Sequence, residues 1–132
     1  MTFVDSNVLL DITQGDSEWT HWSRHRLNEQ AASGPLLIND IVYAELSVSF
    51  SRIEELNAFL TAAGIELERT PREGLVLAVR AHLRYRRQGG TRTGVLPDFF
   101  IGAHAAIRQA PLMTRDAPRY RAYFPDVTLI TP

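Results

Sequence analysis

The sequence predicts an α/β fold with a short, mainly parallel central sheet flanked by helices on both faces. Short apolar runs, Thr2-Phe3-Val4 and Leu36-Leu37-Ile38 among them, alternate along the chain with helix-like segments. Those runs are continuous rather than alternating, as in strands covered on both sides. The 132 residues, 45% of them apolar, suffice for one domain with its own core.

The elements follow in order. Thr2-Phe3-Val4 is a strand ending at Asp5. Ser6 is expected to cap a helix from Asn7 to Gln14, and Gly15 closes it. Asp16 and Ser17 open a second helix to about Ala32, stopped by Ser33-Gly34-Pro35. Leu36-Leu37-Ile38 is the next strand, after which Asn39 or Asp40 caps a helix through Phe50. Ser51-Arg52-Ile53-Glu54 has the spacing of a capping box, and Gly64 ends the helix it opens. Ile65-Glu66-Leu67 is a brief strand. Thr70-Pro71-Arg72-Glu73 is a second capping box, starting a helix that runs to Gln88. A polar loop, Thr91 to Val95, leads to a helix beginning near Asp98, where Gly102, Ala103, Ala105 and Ala106 let a neighbouring backbone approach. Leu112-Met113-Thr114 and Val127 to Ile130 are strands, with a short helix from Pro118 to Phe124 between them. No repeat, linker or low-complexity segment divides the chain.

Composition excludes several classes. There is no cysteine, hence no disulfide and no thiolate metal site. No apolar run approaches a membrane span and no secretory signal opens the chain, so the expected location is the cytoplasm. All 14 basic residues are Arg. Three of them lie before Arg69, where acids predominate, and the other eleven from Arg69 onward. Codon bias accounts for the missing Lys but not for that segregation. Arg80, Arg84 and Arg87 share one helix face, Arg86 is adjacent, and Arg92 lies in the following loop; they suit either a solvated face or a phosphate backbone. Arg115, Arg119 and Arg121 add charge beyond a strand end.

Four carboxylates stand in apolar settings. Asp5 and Asp116 fall at strand ends, where ligands of such folds sit; a helix cap, which Ser6 could supply as well, and a turn are the competing explanations. Glu45 is expected inside the apolar stripe Ile41, Ala44 and Val48, where an unpaired charge needs a cation, an Arg or a proton. Asp98 fits a cap or a ligand at a helix mouth. Asp11, Asp16, Asp40 and Asp126 read as caps, turns or exposed positions, and Glu54, Glu55, Glu66, Glu68 and Glu73 as caps and solvated faces. An all-oxygen set of four suits a hard divalent cation, Mg²⁺ or Mn²⁺. His21 and His25 are four apart, but Trp22 stands where a zinc protease carries Glu, so they read as surface. His104 reads as packed. Trp19 and Trp22 fit either the core or an anchor for a partner segment.

With Asp5, Glu45, Asp98 and Asp116 in this order, the chain resembles the PIN-domain nucleases, and within them the VapC toxins of type II toxin–antitoxin pairs. The resemblance lies in Phe3-Val4-Asp5-Ser6-Asn7-Val8-Leu9-Leu10-Asp11, Val42-Tyr43-Ala44-Glu45-Leu46-Ser47, Leu96-Pro97-Asp98-Phe99-Phe100-Ile101-Gly102-Ala103-His104-Ala105 and Thr114-Arg115-Asp116. It implies a single PIN domain over residues 1–132. It also implies a Mg²⁺- or Mn²⁺-dependent endoribonuclease with Asp5, Glu45, Asp98 and Asp116 as metal ligands and catalytic residues. Asn7 and Thr114 match positions that support such a centre through hydrogen bonds. The implied partners are an RNA substrate, a cognate VapB-like antitoxin and a second copy of the chain, without a membrane.

The competing readings are a PIN-domain nuclease that processes RNA without an antitoxin, and a non-catalytic binding module. A phosphorylatable receiver or a haloacid-dehalogenase-type phosphatase would need a Lys, which the chain lacks.

Overall fold

The computed structural model describes residues 1–15 and 17–132. Its strands are β1 (Thr2–Val4), β2 (Leu36–Asn39), β3 (Ile65–Glu68), β4 (Leu112–Met113) and β5 (Leu129–Ile130). They form one sheet in the order β3-β2-β1-β4-β5, and all four pairings are parallel. Phe3 pairs with Leu37 on one side and Leu112 on the other, which puts β1 at the centre. Every residue of β1 and β2 is buried regardless of the pleat, so helices cover both faces. At the edge, β3 exposes Glu66 and Leu67.

The order of the strands positions the site. From β1 the chain steps outward to β2 and β3, then returns to the opposite side of β1 as β4. The carboxyl ends of β1 and β4 therefore flank the point where the winding reverses, the usual ligand crevice of open α/β sheets.

The helices are α1 (Ser6–Gln14), α2 (Thr20–Ser33), α3 (Asp40–Leu46), α4 (Ile53–Ala63), α5 (Arg72–Arg87), α6 (Leu96–Arg108) and α7 (Ala117–Tyr123). Asp16, expected to open the second helix, lies outside the described residues. Helix α5 buries Gly74, Ala78 and Ala81, and α6 buries Gly102, Ala103 and Ala105. Small side chains let helices pack closely, and α5 and α6 form the most extensive helix pair. Gly102, however, makes room for rings rather than backbone. A Cβ there would lie 2.5 Å from the Phe124 ring and 3.0 Å from that of Tyr120.

Several expected caps take other forms. Asn39 does cap α3, accepting from the Val42 N–H at 3.0 Å. Neither predicted capping box forms: the caps of α4 and α5 are Arg52 and Pro71, without side-chain bonds. The Thr70 hydroxyl turns instead to Asp40, on the neighbouring connection. Asp11, read as a cap or turn, is buried. It accepts from Ser23 Oγ at 2.8 Å and from Arg115 Nε and Nη2 at 2.6 and 2.9 Å. This clamp ties α1 to α2 and to the segment after β4. Trp19 lies beneath the same guanidinium, 5.7 Å from its carbon, and Trp22 packs on the core. His104 is buried as expected, its ring tilted against that of Phe3 at 4.6 Å and its Nε2 2.8 Å from Glu68. Glu68, read as solvated, holds both His104 and Arg108. No helix among the described residues is long and apolar enough to cross a membrane.

Candidate functional site

Asp5 stands immediately after β1, at the N-cap position of α1, but its carboxylate makes no capping bond. It is buried, and Oδ2 accepts from Thr114 Oγ1 and from Tyr120 Oη, each at 2.8 Å. Asn7 Nδ2 lies 3.4 Å from the same oxygen, while Asn7 Oδ1 accepts from the Arg115 N–H at 3.2 Å. Thr114 also accepts from the Asp116 N–H at 3.0 Å. One threonine hydroxyl thus joins the ends of β1 and β4.

Glu45 reaches the site differently from its sequence expectation. Helix α3 buries Val42 and Leu46, whereas Ala44 is exposed and Val48 is 76% exposed. The predicted stripe fails because the buried face of α3 is that of Val42 and Leu46, which turns Ala44 outward, and because the α-helix stops at Leu46 and tightens into a 3-10 turn, Ser47–Ser49, before Val48. Glu45 lies at the margin of the core, half buried. Its Oε1 accepts from Ser6 Oγ at 2.8 Å. Ser6, expected as the cap of α1, is therefore a helical residue serving Glu45.

Asp98 is likewise no cap. Helix α6 is entered through Val95, with Pro97 in its first turn, and Asp98 is the third helical residue. Its Oδ2 is bound by Arg119 Nη1, which also lies 3.7 Å from Asp116 Oδ2. Asp116 takes the N-cap position of α7 without a capping bond. Arg119 was foreseen only as charge near a strand end; its side chain is nine-tenths buried within the acidic group.

Electrostatics binds the four acids into one cluster. Burial raises the Asp5 carboxyl above its ordinary range, against the hydrogen bonds from Thr114 and Tyr120, and Asp116 pushes it further up. Burial raises Glu45, with Ser6 opposing and Asp5 adding. Asp98 is pushed up to about 7, first by burial and then by Asp5, with Asp116 and Glu45 contributing and Arg119 opposing. An acid that feels the other three and one guanidinium reports a site short of positive charge.

The donor chemistry fits a hard divalent cation: four carboxylates, no thiolate and no imidazole. Among the described residues, no three acidic or histidine side chains close around an ion as they stand. Arg119, engaged with Asp98 and Asp116, supplies positive charge there instead.

The model of the PIN-domain family matches residues 2–125. The chain belongs to the PIN-domain family. Solved structures share this PIN fold along nearly their whole length. VapBC2 from Rickettsia felis, crystallised on a DNA fragment from its promoter, has a TM-score of 0.74 at 17% identity, over 99% of this chain and 98% of that one. A toxin–antitoxin complex from Klebsiella pneumoniae gives 0.67 at 21% identity, over 100% and 98%. FitAcB from Neisseria gonorrhoeae gives 0.69 at 17% identity, over 98% and 96%. No curated protein matches the chain in sequence.

Within this PIN fold, Asp5, Asp98 and Asp116 fall at the winding reversal and Glu45 joins them through Ser6. Arg80, Arg84, Arg86, Arg87 and Arg92 are exposed on α5 and the loop after it. Sequence reasoning missed Tyr120 and the role of Ser6. A signal for Tyr120 existed: Tyr120 and Phe124, four apart, mark an inward stripe, and a buried phenol requires an acceptor.

Proposed function

We propose that this PIN domain is a metal-dependent endoribonuclease, the toxin of a VapC-type pair, acting in the cytoplasm and neutralised by a cognate antitoxin. The observation that carries the reading is the convergence of Asp5, Glu45, Asp98 and Asp116 from four elements onto one charge-deficient centre. The toxin–antitoxin complexes among the structures of like fold support the assignment of partner.

The four carboxylates would hold Mg²⁺ or Mn²⁺, which supplies charge neutralisation at the scissile phosphate and a lowered pKa for an attacking water. Asp5 is fixed by Thr114 and Tyr120 and contributes a stationary oxygen. Glu45, oriented by Ser6 and raised by burial, and Asp98, pushed up to about 7 in the metal-free fold, would orient the attacking water. Arg119, which now engages Asp98 and Asp116, would yield them to a bound cation. The exposed Arg residues of α5 and Arg92 hold the RNA backbone rather than read its bases. A homodimer suits the unpaired apolar face of α5, where Leu75, Val79 and Leu83 are each more than two-fifths exposed at i, i+4 and i+8.

The deciding experiment is cleavage of structured RNA by purified protein with Mg²⁺ or Mn²⁺, repeated in EDTA. Metal-restored cleavage is expected, and activity that survives chelation overturns the mechanism. Growth arrest on expression, relieved by co-expression of a small antitoxin encoded beside it, distinguishes the toxin from an unpaired RNA-processing nuclease. A folded protein that binds RNA without cutting it under any metal is the binding module.

A further inference from the structure

We propose that Tyr120 is a positioning residue for Asp5, saturating Oδ2 so that the carboxylate meets its cation through Oδ1 alone. The inference rests on the reading of Asp5 as a ligand and adds which oxygen it offers and what holds it. A carboxylate oxygen has two in-plane lone pairs. At Oδ2 both are taken, by Tyr120 Oη and Thr114 Oγ1 at 2.8 Å each, with Asn7 Nδ2 as a third donor at 3.4 Å. At Oδ1 the side-chain donor is Ser6 Oγ at 3.5 Å, whose proton has a better acceptor in Glu45 at 2.8 Å, and the Ser6 backbone N–H also bonds the carboxylate. The two oxygens of one carboxylate are therefore unequal in their side-chain donors, and the less engaged one lies toward Ser6 and Glu45.

The phenol is held firmly enough to do this. Tyr120 is 1% exposed, and its ring lies in the recess that Gly102 leaves in α6, where an added Cβ would approach to 3.0 Å. Helix α7 starts directly after Asp116, so one seven-residue element with Asp116 at its cap carries Arg119 on Asp98 and Tyr120 on Asp5. Thr114 approaches Oδ2 from the strand side and Tyr120 from the helix side. Together they lock both torsions of the Asp5 side chain, which a single donor leaves free to rotate.

Tyr120→Phe removes the hydroxyl and keeps the ring. The full-length chain without RNA is titrated with Mn²⁺, by calorimetry and by electron paramagnetic resonance, alongside wild type and a thermal melt in EDTA. Loss of an outer hydrogen bond to a ligand lowers metal affinity about 10- to 100-fold. That loss is expected in a folded variant, with cleavage recovering as Mn²⁺ is raised. Wild-type affinity in folded Tyr120→Phe overturns this inference alone. A wild-type chain that takes up no Mn²⁺ overturns the ligand reading of Asp5 and the inference with it. Should the variant not fold, the Tyr120 hydroxyl proton of wild type is followed by NMR with and without Mg²⁺. Its protection is expected to persist on loading, and exposure on loading means that Oδ2 has turned to the ion and overturns the proposal.

Discussion

Arg119 on α7 donates Nη1 to Asp98 on α6, and the same nitrogen stands 3.7 Å from Asp116 at the end of β4. One guanidinium thus spans two of the four acids, with Tyr85 beneath it at 6.0 Å. Without it, three carboxylates would press on Asp98 unopposed.

Replacing Arg119 by Gln should therefore have two opposite effects. Without metal the fold loses stability, because buried acids lose their partner. Mn²⁺ affinity of the RNA-free protein rises severalfold, because the competing charge is gone. Calorimetric titration and melting in EDTA measure both, and weaker Mn²⁺ binding in a folded variant would count against competition.

The pH dependence of Asp98 has a definite sign. Its carboxyl ionises at 3.8 in the unfolded chain and at about 7 in the fold. Between those values the native state holds the extra proton. The stability tied to Asp98 is therefore fully present below 3.8 and falls as pH rises to about 7, with no further loss above. Asp98→Asn removes that dependence. In EDTA, the melting-temperature difference between variant and wild type should shift in favour of the variant across this window and then level off. Cleavage by the variant should drop steeply. A difference flat with pH rejects the raised ionisation.

Asp11→Asn tests the clamp beside the site. It leaves Arg115 without its carboxylate and should destabilise the protein by about 2–3 kcal/mol, below the usual cost of breaking a fully buried pair because Arg115 is partly exposed. Denaturant unfolding measures this. Mn²⁺ affinity of the folded variant should be unchanged.

Gly102→Ala should destabilise by about 1–3 kcal/mol through overpacking against Phe124 and Tyr120. The phenol would be displaced, so Mn²⁺ affinity should fall together with stability. Loss of stability alone would mean that the ring yields without moving the hydroxyl.

Much of this architecture was legible in the chain. Continuous apolar runs at Phe3-Val4 and Leu36-Leu37-Ile38 announced strands buried on both faces, and the helices between them announced parallel pairing. The four acids stood out because each lies in an apolar setting, although caps and a turn competed as explanations for Asp5, Asp98 and Asp116; in the fold each of the other three bears electrostatically on Asp98. Local capping was read less well. Ser6, Thr70 and Asp98 have the right chemistry for caps, but distant partners, Glu45, Asp40 and Arg119, made better bonds. The stripe through Glu45 assumed that α3 continued to Phe50, and the helix ends at Leu46. Tyr120 escaped because its acceptor lies 115 residues away, a distance at which no periodic pattern operates.

The adjacency of β1 and β4 has a bearing on how this chain is made. Thr114 and Asp5 are 109 positions apart, and Asp116 follows still later. During translation Asp5 emerges well before Thr114 and Tyr120, and the two hydroxyls that hold its Oδ2 arrive only when β4 and α7 have left the ribosome and closed the sheet. Contacts of such long range form late. A nascent or prematurely terminated product would carry Asp5, Glu45 and Asp98 without the assembled centre. The centre is thus a property of the closed sheet, absent from any product that stops short of β4 and α7.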